Sequence, residues 1–199
     1  SQPITGYRAG ADPVFLAASV PAEAGQSVLD LGCGAGTALF CLMARVPGLL
    51  ASGIEINPSY ANIARQNAAD TGFGADIHKG DLTQMPDSLR QQSFDHVMTN
   101  PPFFDRDNGS AAFDDGRESA RGESVDLSKW LDAGIRRLKP KGTLTVVQRA
   151  DRLPALLTAL DDRVGDTKVL PLVPRAGRAA KLILLQTRKG AKGPFCLLA

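Results

Sequence analysis

The sequence predicts an α/β fold: a Rossmann-like, doubly wound, mostly parallel sheet of about seven strands with an antiparallel C-terminal hairpin. Three observations predict it. Short apolar runs alternate with stretches of helical length and periodicity through the first 150 residues. The first of those runs ends in a glycine-rich turn that leads into a helix. The tail carries two apolar runs joined by a short loop, the pattern of a hairpin. At 199 residues, 43% apolar and 22% charged, the chain suits one domain, 1–199, with its own core.

The elements follow in order. Asp12 precedes an apolar helix. Residues 27–31 (SVLDL) read as a buried strand, and residues 37–46 beyond the glycines as a helix. Residues 49–55 (LLASGIE) form the second strand. Asn57-Pro58 then opens a helix to about Thr71, with Tyr60, Ile63, Ala64, Asn67 and Ala68 at helical spacing. Residues 75–79 and 93–99 are the third and fourth strands, and residues 127–138 a helix that ends before Lys139-Pro140-Lys141-Gly142. Residues 143–148 make the fifth strand. A helix near 152–161 precedes the apolar runs 167–173 and 181–187, which read as a hairpin closing the sheet edge. Residues 104–123 have almost no apolar periodicity, and a loop that long in a compact domain is usually functional or disordered.

Composition excludes several classes. No window approaches the roughly 18 apolar residues of a membrane span, and the start has no secretory pattern. Three cysteines without a CxxC pair fit reduced thiols in a cytoplasmic protein better than disulfides or zinc. The net charge of +2 divides unevenly. Residues 1–99 hold 5 basic and 9 acidic side chains, residues 100–199 hold 18 and 12, and no acid follows Asp166. That asymmetry suits a polyanionic partner approaching the second half, although a solvated basic face has the same composition.

Four motifs carry chemistry. Asp30-Leu-Gly-Cys-Gly-Ala-Gly36 sits between strand and helix, where glycines admit a ligand and the helix start offers free N–H groups. Thr37 stands where a dinucleotide GxGxxG loop needs its third glycine. Glu55 ends the second strand and Asp81 follows the third. In a doubly wound sheet both reach the ligand edge, one able to accept ribose hydroxyls and the other an adenine amine, though either carboxylate could also cap a helix. Asn100-Pro-Pro-Phe103 follows the fourth strand. Its Asn oxygen and the Pro101 carbonyl are two adjacent acceptors, and Pro101 and Pro102 bring no N–H to compete. Two acceptors suit a planar NH₂ group, and holding both hydrogens lets its nitrogen become pyramidal toward an electrophile. Phe103 can stack on a base. His78 and His96 read as structural, Trp130 as core, Cys33 as lacking an activating base, and Asp161-Asp162 as a helix-end pair without further metal ligands.

Together these residues resemble the class I S-adenosylmethionine-dependent methyltransferases over residues 25–150, and the NPPF form is similar to enzymes that methylate exocyclic or amide nitrogens. Gln2-Pro3, Gly6-Tyr-Arg-Ala-Gly10, Asp12, the arginine-rich segment 174–181 and Arg188-Lys-Gly190 resemble the bacterial valine-tRNA adenine-N6 methyltransferases. Against that pattern the chain starts inside the first matched segment and stops at Ala199, so both ends look short of a full-length member.

The resemblance implies S-adenosyl-L-methionine as cofactor and RNA, most simply the adenine 3′ of a tRNA anticodon, as partner, with no metal and no membrane. It places Tyr7, Arg8, Asp30, Gly32, Cys33, Gly34, Gly36, Glu55, Ile56, Asp81, Leu82 and Asn100 around the cofactor, with Glu55 at the ribose and Leu82 against the adenine ring. Asn100, Pro101, Pro102 and Phe103 would grip the target amine. Phe104, Arg106, Arg117 and Arg121 in the 104–123 loop, with Arg175, Arg178 and Lys181, would meet the RNA. Residues 1–24 would cap the cofactor, 25–150 form the cofactor and catalytic core, and 151–199 a basic part. Alternatives left open are a protein glutamine amide or an rRNA guanine N2 as acceptor, a nicotinamide-dependent oxidoreductase, and a non-catalytic RNA-binding module.

Overall fold

A computed structural model describes residues 10–102 and 126–199. Among them the chain runs α1 (Asp12–Ser19), β1 (Ser27–Leu31), α2 (Thr37–Arg45), β2 (Leu50–Glu55), α3 (Pro58–Thr71) and β3 (Asp76–Lys79). It continues with a short α4 (Asp87–Arg90), β4 (Phe94–Thr99), α5 (Leu127–Arg137), β5 (Leu138–Arg149) and α6 (Leu153–Ala159). It ends with β6 (Val164–Leu172), β7 (Leu182–Lys189) and β8 (Cys196–Leu197). The sheet order is β3-β2-β1-β4-β5-β7-β6-β8. β1 to β5 pair in parallel, and β7 lies antiparallel between β5 and β6.

Local sequence explains the element ends. Asn57 caps α3, its Oδ1 accepting from Ser59 N at 2.9 Å and Tyr60 N at 3.4 Å. Pro58 opens that helix and Gly72 ends it in the left-handed conformation. Asp126 caps α5 through Ser128 N, and Arg136 and Arg137 lie at its negative C-terminal end.

Buried strands pointing alternate side chains to opposite faces give the sheet two cores. Val28, Met98, Val147 and Leu184 pack with Leu16, Leu39, Leu42 and Ala64 from α1, α2 and α3. Their neighbours Leu29, Val97, Val146 and Leu185 pack on the other face with Trp130, Leu131, Ile135 and Leu156 from α5 and α6.

Three expectations are corrected. The strand expected from Thr143 begins at Leu138, directly after α5, because Leu138 pairs with Phe94 before a register shift and Lys141 takes a positive φ. The helix near 152–161 is a 3-10 turn followed by the shorter α6. The hairpin does not close the sheet: the two-residue β8 pairs in parallel with β6 and forms the outer edge.

Candidate functional site

In a parallel sheet whose order reverses between β1 and β4, the crevice at the carboxyl ends of those strands is the ligand position. Leu31 and Thr99 are register partners there, and the Thr99 hydroxyl donates to the Leu31 carbonyl at 2.9 Å. The glycine turn after β1 and the Asn100 motif after β4 therefore leave the sheet side by side.

The turn is held from beneath. Gly32 N and Cys33 N donate to the Ile54 carbonyl at 2.8 and 3.1 Å, and Gly36 N to the Cys33 carbonyl at 2.8 Å. Gly34 N donates to Glu55 Oε2 at 2.9 Å, while Glu55 Oε1 accepts from Asn57 N at 2.8 Å. Asn67 Nδ2, from α3, donates to the Ala35 carbonyl at 3.0 Å. Four N–H groups of the turn, those of Gly32, Cys33, Gly34 and Gly36, are engaged internally, so donors for a ligand would have to come from the start of α2. Two further facts explain the glycines. A Cβ on Gly32 (φ +69°) would lie 2.5 Å from the Trp130 ring, whereas Gly34 (φ +56°) faces open space.

Electrostatics sharpen the reading. Asp30 and Glu55 are both buried. Burial, then the charge of Glu55, pushes the Asp30 carboxyl well up. Burial also raises Glu55, against the backbone N–H groups of Asn57, Gly34 and Ile56. Two buried carboxyl groups beside the turn favour a cation or hydroxyl donors and repel a phosphate. Burial followed by the charges of Asp30 and Glu55 pushes the Cys33 thiol well up, so it is no nucleophile. Asp81 accepts from Thr83 N at 2.7 Å, capping a 3-10 turn. Leu82 is packed into the core beside Ile54 and presents only 8% of its surface, whereas Ile56 is 59% exposed next to Glu55. Of the two, Ile56 offers the larger apolar face to a ring.

Asn100 Oδ1 is buried and has no hydrogen-bond partner among the described residues. Pro101 is buried and Pro102 exposed. The Pro101 carbonyl, expected to be free of competing donors, accepts from Gln148 Nε2 at 3.3 Å. That correction follows from register: Gln148 lies two residues past Val146, the partner of Thr99, and is thus level with Pro101. Gln148 went unnoticed in the sequence, where its only signal is an uncharged polar residue ending the apolar run TLTVVQ.

Arg175, Arg178 and Lys181 are exposed in the loop between β6 and β7. Leu182 pairs with Arg149, the last residue of β5, so this loop stands at the same sheet edge as Asn100. The acid-free tail is therefore not one patch. Arg188 pairs with Thr143 at the far edge, where Asp166 lies 3.7 Å from it, and Lys189 Nζ donates to the Leu138 carbonyl. Tyr7, Arg8, Phe103, Phe104, Arg106, Arg117 and Arg121 lie outside the described residues. His96, Trp130 and Cys33 are buried, and Asp161, just past the C-cap Leu160 of α6, bonds Arg163. Among the described residues no three candidate ligands cluster around a metal position, and no helix is long and apolar enough to cross a membrane.

Comparison with known proteins places the chain in a family and a fold. A tRNA1(Val) (adenine(37)-N6)-methyltransferase of Porphyromonas gingivalis W83 is 32% identical over 179 residues, covering 82% of this chain and 69% of that protein. The Yersinia enterocolitica protein of the same name is 34% identical over 117 residues, 57% of this chain and 45% of that one. Among solved structures, a predicted O-methyltransferase, Atu636 of Agrobacterium tumefaciens, superposes with TM-score 0.77 at 21% identity, covering 94% of this chain and 84% of that chain. TrmN of Thermus thermophilus superposes with TM-score 0.65 at 18% identity, covering 89% and 48%. The family described as "Methyltransferase domain" matches residues 22–177. The chain belongs to that family and is a methyltransferase.

Proposed function

We propose that this protein methylates the exocyclic N6 amine of an adenine in a tRNA anticodon loop with S-adenosyl-L-methionine as donor. One observation carries the reading: Asn100 Oδ1 is buried without a partner among the described residues beside the Pro101 carbonyl, next to an acid-lined turn. A buried acceptor left unmet costs about 1–3 kcal/mol, and a bound NH₂ group would remove that cost.

The residues present fit the cofactor. Asp30 and Glu55 suit its cationic groups and ribose hydroxyls, Gly34 leaves space above the turn, and Ile56 offers an apolar face beside Glu55. When bound, the cofactor supplies an electrophilic methyl group. The chain's own part is positioning. Asn100 Oδ1 and the Pro101 carbonyl accept the two N–H bonds, turning the nitrogen lone pair out of conjugation and toward the methyl. Orientation of this kind can supply much of the acceleration. Neither acceptor can keep the proton that nitrogen loses, which passes to water. An adenine must leave its stack to reach this edge, at a few kcal/mol. Arg175, Arg178 and Lys181, exposed at the same sheet edge, would hold the flanking phosphates, and the names of the relatives supply the choice of tRNA adenine.

Incubation with labelled S-adenosylmethionine and unmodified bulk tRNA, followed by nucleoside identification, tests the reading. Label in N6-methyladenosine is expected. Label in N2-methylguanosine, or in a protein glutamine and no RNA, would overturn it.

A further inference from the structure

The Pro101 carbonyl is half of the proposed amine clamp, yet proline offers no N–H to anchor its own peptide and Pro102 beside it is exposed. Something else must fix where that carbonyl points. Gln148 is 1% exposed at the end of β5. Its Oε1 accepts from Arg149 N at 2.9 Å, and its Nε2 donates to the Pro101 carbonyl at 3.3 Å. The first bond settles the orientation of the amide: a backbone N–H needs the oxygen, so the nitrogen must face Pro101. A carbonyl oxygen has two lone pairs. Gln148 takes one and leaves the other in a fixed direction.

We infer that Gln148 is a positioning residue that aims the free lone pair of the Pro101 carbonyl at the target amine. The inference rests on the clamp reading of Asn100 and Pro101. It assigns Gln148 no contact with substrate or cofactor. Its effect belongs to the chemical step, because a misaimed acceptor loosens the reacting geometry without removing a surface on which RNA or cofactor binds.

Methyl transfer to unmodified bulk tRNA is measured for the full chain as wild type, Gln148→Met, Gln148→Glu and Asn100→Ala, together with cofactor affinity by calorimetry and thermal midpoint. Met keeps the length of Gln and lacks the donor. Its kcat is expected to fall by about tenfold to a hundredfold, the scale of a small misplacement, with KM for tRNA and cofactor affinity within about twofold. Glu keeps the acceptor for Arg149 N and lacks the donor until it is protonated. Its activity relative to wild type should therefore be low at neutral pH and rise as pH falls, which loss of packing alone would not produce.

A wild-type kcat in Gln148→Met at an unchanged midpoint, with Asn100→Ala slow, overturns the role of Gln148 and leaves the clamp standing. A wild-type rate in Asn100→Ala removes the clamp, and this inference with it. Should Gln148→Met fail to fold, a Gln148→Glu to wild-type ratio that stays flat with pH is enough to reject the role.

Discussion

Asn100 directly follows β4 with a buried amide oxygen that meets no donor among the described residues, a cost a ligand can relieve. Its replacement should therefore separate stability from activity. Asn100→Ala is expected to leave the thermal midpoint unchanged or higher while slowing methyl transfer by roughly 10²–10³, by analogy with one lost transition-state donor. Steady-state rates and a melting curve on the same preparation check both halves. Glu55 should behave in the opposite way. Burial already favours its neutral form, so acidification neutralises it at a higher pH than an ordinary carboxylate. Cofactor affinity, which needs the charged acceptor, should fall as pH drops from neutral, beginning above the usual carboxylate range. In Glu55→Gln affinity should start lower and this part of its pH dependence should be lost, as calorimetry across pH would show. These two residues were legible in the sequence because each stands at a strand end with a side chain that has no apolar purpose. Gln148 was not, since its role exists only once β5 lies beside β4 and the register puts it level with Pro101.

At the scale of elements, the turn between β1 and α2 shows how glycines in one motif answer to different demands. Gly32 and Gly34 both have positive φ, which costs a residue with a Cβ roughly 1–2 kcal/mol. At Gly32 a Cβ would also strike the Trp130 ring of α5, at 2.5 Å, whereas at Gly34 it would meet nothing. Gly32→Ala should accordingly lower the thermal midpoint well beyond Gly34→Ala. Gly34→Ala should stay folded with a small loss and weaken cofactor binding in calorimetry, because its methyl enters the space above the turn. The elements themselves were readable from apolar period and from caps such as Asn57-Pro58. Boundaries failed where tertiary pairing overrode local signals: Lys139-Pro140-Lys141-Gly142 looks like a break, yet Leu138 pairs with Phe94 and the strand begins there. The β6–β7 loop was read as basic without a location. Its antiparallel pairing with β5 supplies one, and Ala at Arg175, Arg178 and Lys181 should weaken tRNA binding. Each lost phosphate contact should lower the salt slope by about 0.7–0.9. Ala at Lys192, beyond the far end of β7, should leave that slope alone.

Across the whole molecule, the two ends of the parallel strands carry opposite electrostatic arrangements. At the ligand end, burial pushes the Asp30 and Glu55 carboxyls up, toward their neutral forms. At the other end, Asp95 Oδ2 accepts from Ser27 N, Ser27 Oγ and Lys139 Nζ, each at 2.8 Å. Burial works against that charge too, but the bonds from Lys139 and Ser27 outweigh it and hold the Asp95 carboxyl down to about 2. The signs follow from proton linkage. Asp95 is depressed in the fold, so its contribution is present above the ordinary Asp range and is lost as pH falls through about 2. Asp30 is raised in the fold, so the folded state binds its proton more readily, and its cost, present at neutral pH, is relieved as pH falls through the raised value. Asp95→Asn should therefore lower the thermal midpoint at neutral pH, with the deficit shrinking toward pH 2. Asp30→Asn should raise the midpoint of the ligand-free protein at neutral pH, by about 2–4 °C for each kcal/mol regained at this chain length. That gain should fade on acidification, and cofactor affinity should be weaker at neutral pH. Melting curves of both variants and wild type across pH, without ligand, decide the matter: an Asp30→Asn midpoint at or below wild type at neutral pH would show that the acid at the ligand edge is there for the fold and not for the cofactor.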